Sequence, residues 1–167
     1  SFEPDKKTFE MLEKNVLQNK FKNVYLFNAA CSNKNGKIDF FIDSKNPGSL
    51  VMSTKQGRMP KDKITVDCIS LSDLIKDNKI KQIDFVKMDI EGSEREVIEN
   101  LDKNNQLTKV MKFTIEYHHK IDKQKSKLSK FLQIFEKRGF EYQIDTKCIP
   151  INSENKFQDV LIYIYKS

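Results

Sequence analysis

The sequence alternates between two kinds of apolar pattern, and this alternation restricts the chain to a small set of folds. Short apolar runs typical of buried strands, such as Ile83–Met88, alternate with segments whose apolar residues recur at helical spacing, such as Leu128, Phe131, Leu132 and Phe135. Parallel strands separated by helices need crossover connections, so the pattern favours a largely parallel sheet covered by helices. We therefore predict an α/β layer fold.

The individual elements can be predicted from the same pattern. A helix begins at Asp5 or a neighbour, and the boxes at 70–73 and 93–96 are expected to cap two further helices. Gly139 is expected to end the last helix. No helical pattern separates the last two strands, so they are predicted to form an antiparallel pair. The predicted strands are 24–27, 38–42, 64–69, 83–88, 110–117, 140–144 and 160–165.

Length and composition are consistent with one globular domain over residues 1–167. The chain has 167 residues, of which 38% are hydrophobic, enough for a single core. No apolar run approaches the ~20 residues that cross a bilayer, so no membrane association is expected. The sequence begins with Ser1 rather than Met, in what resembles the end of a strand. We therefore expect a first strand–helix unit upstream.

The net charge of +6 raises the possibility of a nucleic-acid partner. Only three of the 30 basic residues are Arg, however, and Arg provides the bidentate contacts that bases and phosphates favour. The Lys-rich stretch 120–130 alternates with apolar helix positions and is predicted to be a solvated face. No nucleic-acid partner is expected, although a Lys-rich nucleic-acid-binding module remains an alternative.

The three cysteines, Cys31, Cys68 and Cys148, are widely spaced and form neither a C-x-x-C pair nor a zinc motif. Reduced, structural thiols are typical of a cytoplasmic protein, so a cytoplasmic location is predicted.

Ligands of parallel sheets bind beyond the carboxyl ends of the strands. Glu3 follows one such end, where an acid can accept hydrogen bonds from both ribose hydroxyls. The alternative is an ordinary carboxylate beside a helix N-terminus. The small residues of Asn28-Ala29-Ala30 would let a flat base lie against the backbone, or would simply form a packed turn.

The segment from Lys87 to Gly92 is the most informative. Strand alternation places Lys87, Asp89 and Glu91 on one side, where charged groups are costly unless they are paired or used. Gly92 lets the backbone turn into the next helix. In the alternative interpretation, Lys87 and Asp89 only neutralise each other.

Glu116 and His118 share a face if their strand extends that far. His is the natural proton acceptor near neutral pH, although a structural His fits equally well. Asp89, Glu116 and His118 could also converge on a divalent metal. Their local spacing is not tight, so no metal site is predicted.

These residues resemble the FkbM family of S-adenosylmethionine-dependent methyltransferases over most of the chain. The most specific match is 83–94, Ile-Asp-Phe-Val-Lys-Met-Asp-Ile-Glu-Gly-Ser-Glu, which is similar to the family's signature. Further matches are Phe2-Glu3-Pro4-Asp5, Asn28-Ala29-Ala30-Cys31-Ser32, Ser70-Leu71-Ser72-Asp73-Leu74, and Glu116 with His118.

The resemblance implies a Rossmann-like class I methyltransferase sheet, mostly parallel with a C-terminal antiparallel strand. It implies S-adenosylmethionine as cofactor and a small-molecule acceptor, with O-methylation of a hydroxyl on a sugar or similar metabolite. The implied cofactor-binding residues are Glu3 and Pro4 at the ribose, Asn28, Ala29 and Ala30 at the adenine, and Asp89. The implied catalytic residues facing the acceptor are Lys87, Asp89, Glu91, Glu116 and His118, with His118 or Asp89 as the base.

The family also begins with a strand and a Gly-rich turn that cradle the methionine part of the cofactor, and nothing similar precedes Phe2. We therefore expect the activity to belong to a longer protein, of which this is the later part, and the chain alone to bind cofactor weakly. A non-catalytic methyltransferase-like module that binds a protein partner is a further alternative. The loop 44–63 is expected to cover the substrate. The segment Met88–Gly92 also lacks the Asn/Asp-Pro-Pro-Tyr/Phe pattern of enzymes that methylate DNA bases.

Overall fold

The computed structural model describes residues 1–43, 52–55, 62–119, 127–146 and 158–166. Over these residues the protein has a mixed α/β fold. In chain order the elements are α1 (Lys6–Gln18), β1 (Ala30–Ser32), β2 (Gly36–Ile42), β3 (Asp62–Ser70), α2 (Leu71–Asp77), β4 (Ile83–Met88), α3 (Glu94–Lys103), a 3₁₀ turn (Leu107–Lys109), β5 (Val110–His119), α4 (Leu128–Glu136), β6 (Phe140–Asp145) and β7 (Gln158–Lys166).

The strands form two sheets rather than one largely parallel sheet. The smaller sheet has the order β1-β3-β2, and the larger has the order β4-β5-β7-β6. Strands β1 and β3 are parallel, as are β4 and β5. The pairs β2–β3, β5–β7 and β6–β7 are antiparallel, so both sheets are mixed and a single largely parallel sheet is not confirmed. Within the larger sheet β4, β5 and β6 run in the same direction, and only the C-terminal strand β7 runs against them. The sequences joining β2 to β3 and β6 to β7 carry no helical pattern, and strands joined without a helix can run antiparallel. The predicted antiparallel closing pair is confirmed.

The region before β1 differs from its prediction. Residues 24–27 do not form a regular strand, because Phe27 makes only an isolated parallel bridge to Phe2. The Glu3 amide donates to the Phe27 carbonyl (3.0 Å), and the Phe27 amide donates to the Ser1 carbonyl (2.9 Å). Ala30, predicted to lie in a loop, instead begins β1.

The main core lies between the larger sheet and helices α2, α3 and α4. The predicted apolar positions of α4 account for its side of this core, since Phe131, Leu132 and Phe135 are buried. Phe113 of β5 and Phe140 of β6 meet Phe135 edge to face, with ring centroids 5.5 and 5.8 Å away. This packing fixes β5, the strand whose carboxyl end carries His118. No helix in the described part of the chain is long and apolar enough to cross a membrane.

The two predicted capping boxes behave differently. The Ser70 hydroxyl accepts a hydrogen bond from the Asp73 amide and caps α2 as predicted. Ser93 makes no such bond at the start of α3, so the prediction of a second box is wrong. Its hydroxyl instead lies 2.5 Å from the Thr54 hydroxyl, which draws it away from the amides of the first helical turn. Helix α1 begins after Asp5 as predicted, because the Asp5 side chain accepts from the Thr8 amide.

Candidate functional site

The carboxyl ends of β4 and β5 lie side by side. These strands are parallel, with Met88 opposite Ile115 in the register. The polar residues that follow each strand therefore meet at one edge of the sheet, as the sequence predicted from general sheet geometry. Strand β5 also extends to His119, so the condition for Glu116 and His118 to share a face is met.

His118 is the centre of this edge, and its imidazole is fully buried. The ring contacts carboxylates through both nitrogens, with Nδ1 lying 2.8 Å from Glu94 Oε1 and Nε2 lying 3.1 Å from Glu91 Oε2. Three further carboxylates surround Nε2, namely those of Asp89 at 3.9 Å, Glu116 at 3.9 Å and Asp159 at 3.8 Å. Five carboxylates therefore lie within 4 Å of this one imidazole ring.

Glu94 is a site residue that the sequence analysis missed. Its side chain is only 1% exposed, and Oε1 accepts a hydrogen bond from the Gly92 amide (2.8 Å) in addition to contacting His118. The capping-box pattern directed attention to Glu96 as the acid of α3. Glu96 instead pairs with Lys55, whose Nζ lies 2.6 Å from its Oε1. The only sequence signal for Glu94 was its place at the end of the signature segment.

Asp159 was also missed. It lies in β7 directly opposite His118 in the antiparallel register. Residue 159 is 41 positions from 118, and no local motif connects the two. Strand pairing alone brings the carboxylate to the imidazole.

The turn between β4 and α3 is held in a strained conformation. Glu91 has φ +55 and Gly92 has φ +106, so the predicted need for glycine at position 92 is confirmed. The buried Ser53 donates its hydroxyl hydrogen to the Glu91 carbonyl oxygen at 2.5 Å. Ser53 is itself bridged to Phe41 of β2. The smaller sheet thus anchors the turn that carries Glu91.

A cavity of about 410 Å³ opens beside this turn. Several residues predicted to bind the cofactor or the acceptor line it together, namely Glu3, Pro4, Ala30, Asp89 and Glu91. The remaining lining is Phe2, Thr8, Met11, Cys31, Phe40, Met52, Thr54 and Ile90. Most of these are apolar, as is typical of small-molecule sites.

Other predicted residues lie around the cavity without lining it. The Asn28 side-chain amide donates to the carbonyl oxygens of Glu3 (2.8 Å) and Pro4 (3.3 Å), which fixes the Glu-Pro segment from behind. Ala29 is buried. Lys87 is mostly exposed, with its Nζ 3.9 Å from Asp89 Oδ2, a distance that fits either partial neutralisation or orientation of the Asp89 carboxylate.

Glu3 is half-buried at the cavity wall. Burial raises the pKa of its carboxyl group, and the hydrogen bond that Oε1 accepts from the Asp5 amide opposes this effect. Asp5 is the N-cap residue of α1, so this bond also fits the alternative of a carboxylate beside a helix N-terminus.

The acidic cluster contains residue types that divalent cations accept. The ligand atoms of Asp89, Glu91 and His118 lie within 4.8 Å of one another, as do those of Glu116, His118 and Asp159. Acidic groups often cluster in this way without a cation, so the spacing alone assigns no metal.

In a comparison with known protein families, a model described as the methyltransferase FkbM domain matches residues 1–142. No curated protein and no solved structure matches the chain.

Proposed function

The chain belongs to the FkbM methyltransferase domain family, and from this premise we propose that it is an S-adenosylmethionine-dependent O-methyltransferase. The proposed acceptor is a hydroxyl group of a sugar or another small metabolite. One observation supports this most directly. Asp89 and Glu91 line the cavity and also surround His118, so a molecule bound in the cavity would lie close to a proton acceptor.

The cavity suits the cofactor in size and in lining. Its volume of about 410 Å³ lies within the range of ~300–1,000 Å³ that small-molecule sites occupy. Glu3 provides a carboxylate for the ribose hydroxyls, Ala30 leaves room for a flat base, and Asp89 closes the side towards His118. When bound, S-adenosylmethionine supplies an electrophilic methyl group to the acceptor.

The residues around His118 would serve the acceptor. His118 Nε2 takes the hydroxyl proton, and the resulting imidazolium is stabilised by the surrounding carboxylates of Glu91 and Asp89. Glu116 contributes to the same negative field. Lys87, at the rim, orients Asp89 or binds an acidic group of the acceptor. The protein's main task is to hold the hydroxyl oxygen in line with the methyl group.

The larger sheet supports the finer assignment to a Rossmann-like class I methyltransferase domain. An antiparallel strand, β7, lies between β5 and β6, and the parallel pair β4–β5 carries the site. The family model matches residues 1–142, and β7 lies beyond them. Strand β7 nevertheless pairs directly with β5, which lies within the matched residues. We therefore propose that residues 1–167 form one domain.

A cytoplasmic location is also part of the proposal. Cys31 and Cys68 are buried free thiols, which suits a reducing compartment.

The test is isothermal titration of S-adenosylmethionine into the full-length protein, followed by assay of methyl transfer to a panel of sugars and hydroxylated metabolites. We expect saturable binding, and methylation of at least one hydroxyl acceptor. An absence of binding heat would contradict the proposal and favour a non-catalytic, protein-binding module.

A further inference from the structure

We propose that Glu94 is a positioning residue that places the proton of the neutral His118 ring on Nδ1 and leaves Nε2 as the basic atom. The inference rests on the proposed function only in the role it gives to Nε2. The arrangement of the ring follows from contacts within the protein.

The contacts of Glu94 place a proton on His118 Nδ1. Glu94 Oε1 accepts a hydrogen bond from the Gly92 amide, and the same oxygen lies 2.8 Å from His118 Nδ1. An ionised carboxylate can only accept hydrogen bonds. The imidazole must therefore donate, which requires its proton to be on Nδ1.

Burial makes the Glu94–His118 pair dependent on its hydrogen bonds. The side chains of Glu94 and His118 are 1% and 0% exposed. A buried carboxylate is tolerated only when hydrogen bonds replace its hydration, and here one oxygen receives two donors. The Glu94–His118 contact is thus favoured over any arrangement that turns the ring away.

His118 Nε2 faces the other four carboxylates. The 3.1 Å contact between Nε2 and Glu91 Oε2 does not have hydrogen-bond geometry, unlike the contact between Nδ1 and Glu94. With Nδ1 committed to Glu94, Nε2 therefore carries the lone pair of the neutral ring. The groups that face it come from the β4–α3 turn, from β5 and from β7, namely Asp89, Glu91, Glu116 and Asp159. A proton arriving at Nε2 is therefore stabilised from several sides. This is the arrangement in which a carboxylate fixes the tautomer of a catalytic histidine.

Glu94 also connects the His118 ring to the turn that lines the cavity. Glu94 binds both the Gly92 amide and His118, and Gly92 directly follows Glu91. One carboxylate therefore sets the position of the turn relative to the imidazole. The distance from the cavity wall to the basic nitrogen depends on Glu94.

The tautomer can be measured directly by long-range ¹H–¹⁵N correlation NMR of the imidazole rings in the full-length protein. The chain described here has two His residues, so His119→Gln would remove the other signal from this region. We expect the neutral His118 ring to carry its proton on Nδ1. If the neutral His118 ring carries its proton on Nε2 in the protein that retains Glu94, the proposal is wrong.

The matched variants are Glu94→Gln and Glu96→Gln, both in the first turn of α3. Glu94→Gln keeps the size and an acceptor oxygen but removes the charge that selects the Nδ1 proton. We expect the ratio of Nδ1- to Nε2-protonated ring to fall about tenfold. Glu96 contacts Lys55, so its variant should leave the ratio unchanged. Equal ratios in the Glu94→Gln and unsubstituted proteins would overturn the proposal.

The measurement needs neither cofactor nor acceptor, so its result is separable from the proposed function. A protein with the expected tautomer that binds no S-adenosylmethionine would contradict the proposed function alone. An active methyltransferase with the proton on Nε2 would contradict the role of Glu94 alone. In an active protein, Glu94→Gln should also lower kcat by ~10²–10⁴-fold with little change in KM, because the proton acceptor is affected rather than binding.

Discussion

The Ser53 hydroxyl donates a hydrogen bond to the carbonyl oxygen of Glu91, 38 residues further along the chain. The bond joins the segment paired with β2 to the turn that follows β4. It crosses from one sheet to the other at the edge of the cavity, and it holds a residue in the left-handed backbone region.

Ser53→Ala should therefore affect both stability and cofactor binding. Loss of the donor leaves the Glu91 carbonyl without this partner, which should lower the free energy of unfolding by about 1–3 kcal/mol. The loosened turn should also weaken S-adenosylmethionine binding. Urea denaturation and isothermal titration measure the two effects. The control is Ser129→Ala on the exposed face of α4, for which neither quantity should change.

Glu91→Gly should separate backbone strain from chemistry. A side chain at φ +55 costs about 1 kcal/mol, so glycine should retain or raise the free energy of unfolding while activity is lost with the carboxylate. Lys79→Gly is the matched control, because Lys79 has φ +52 after α2 and precedes the amino end of β4, whereas the site lies at the carboxyl end. It should raise stability equally and leave methyl transfer unchanged. Retained activity in Glu91→Gly would remove Glu91 from the site.

The buried pair of Glu94 and His118 should show strong coupling. His118→Leu leaves the Glu94 charge buried without its imidazole, which should lower the free energy of unfolding by about 3–5 kcal/mol. Glu94→Gln combined with His118→Leu should recover most of this loss, because glutamine still accepts from the Gly92 amide. Both proteins should lack methyl transfer. A double variant as unstable as the single one in urea denaturation would show that the pair is not coupled.

Glu3→Gln should weaken S-adenosylmethionine binding by ~10- to 100-fold, the effect of losing hydrogen bonds to a charged group. Burial raises the pKa of Glu3, so affinity should fall as the pH drops through this raised value, at higher pH than for an exposed Glu. The variant should lack this pH dependence. Glu10→Gln, exposed on α1, is the control for isothermal titration. Unchanged affinity in Glu3→Gln would exclude Glu3 from the ribose site.

Cys31 should react slowly with iodoacetamide. Burial raises the pKa of its thiol to about 12, so the thiolate that reacts is scarce in the folded protein at pH 8. Alkylation of Cys31, followed by mass spectrometry, should be at least ~10²-fold slower in the folded protein than in the protein unfolded in urea.

The raised pKa of Cys31 also affects stability. The stability contributed by the thiol is present below pH 9 and is lost as the pH rises towards 12. Cys31→Ala should therefore lose less stability between pH 9 and 11 than the unsubstituted protein. Rapid labelling in the folded state would contradict the burial of this side chain.

Local patterns in the sequence predicted most elements because helices and strands have different apolar periods. The same reasoning placed Glu116 and His118 on one face, since alternate residues of a strand point the same way. It failed for Ser93, whose hydroxyl is bound by Thr54 from another segment. It also missed Ser53, Glu94 and Asp159, whose roles depend on tertiary contacts that no local spacing encodes.

The position of β7 has a consequence for biosynthesis. Asp159 enters the site from a strand that inserts between β5 and β6, with Thr114 pairing with Tyr163, so the site is completed only after β7 has emerged from the ribosome. Until then β5 and β6 each expose an unpaired edge, which is a template for association with other chains. The emerging polypeptide therefore passes through an aggregation-prone interval, and the closing strand ends that interval at the same time as it completes the cluster around His118.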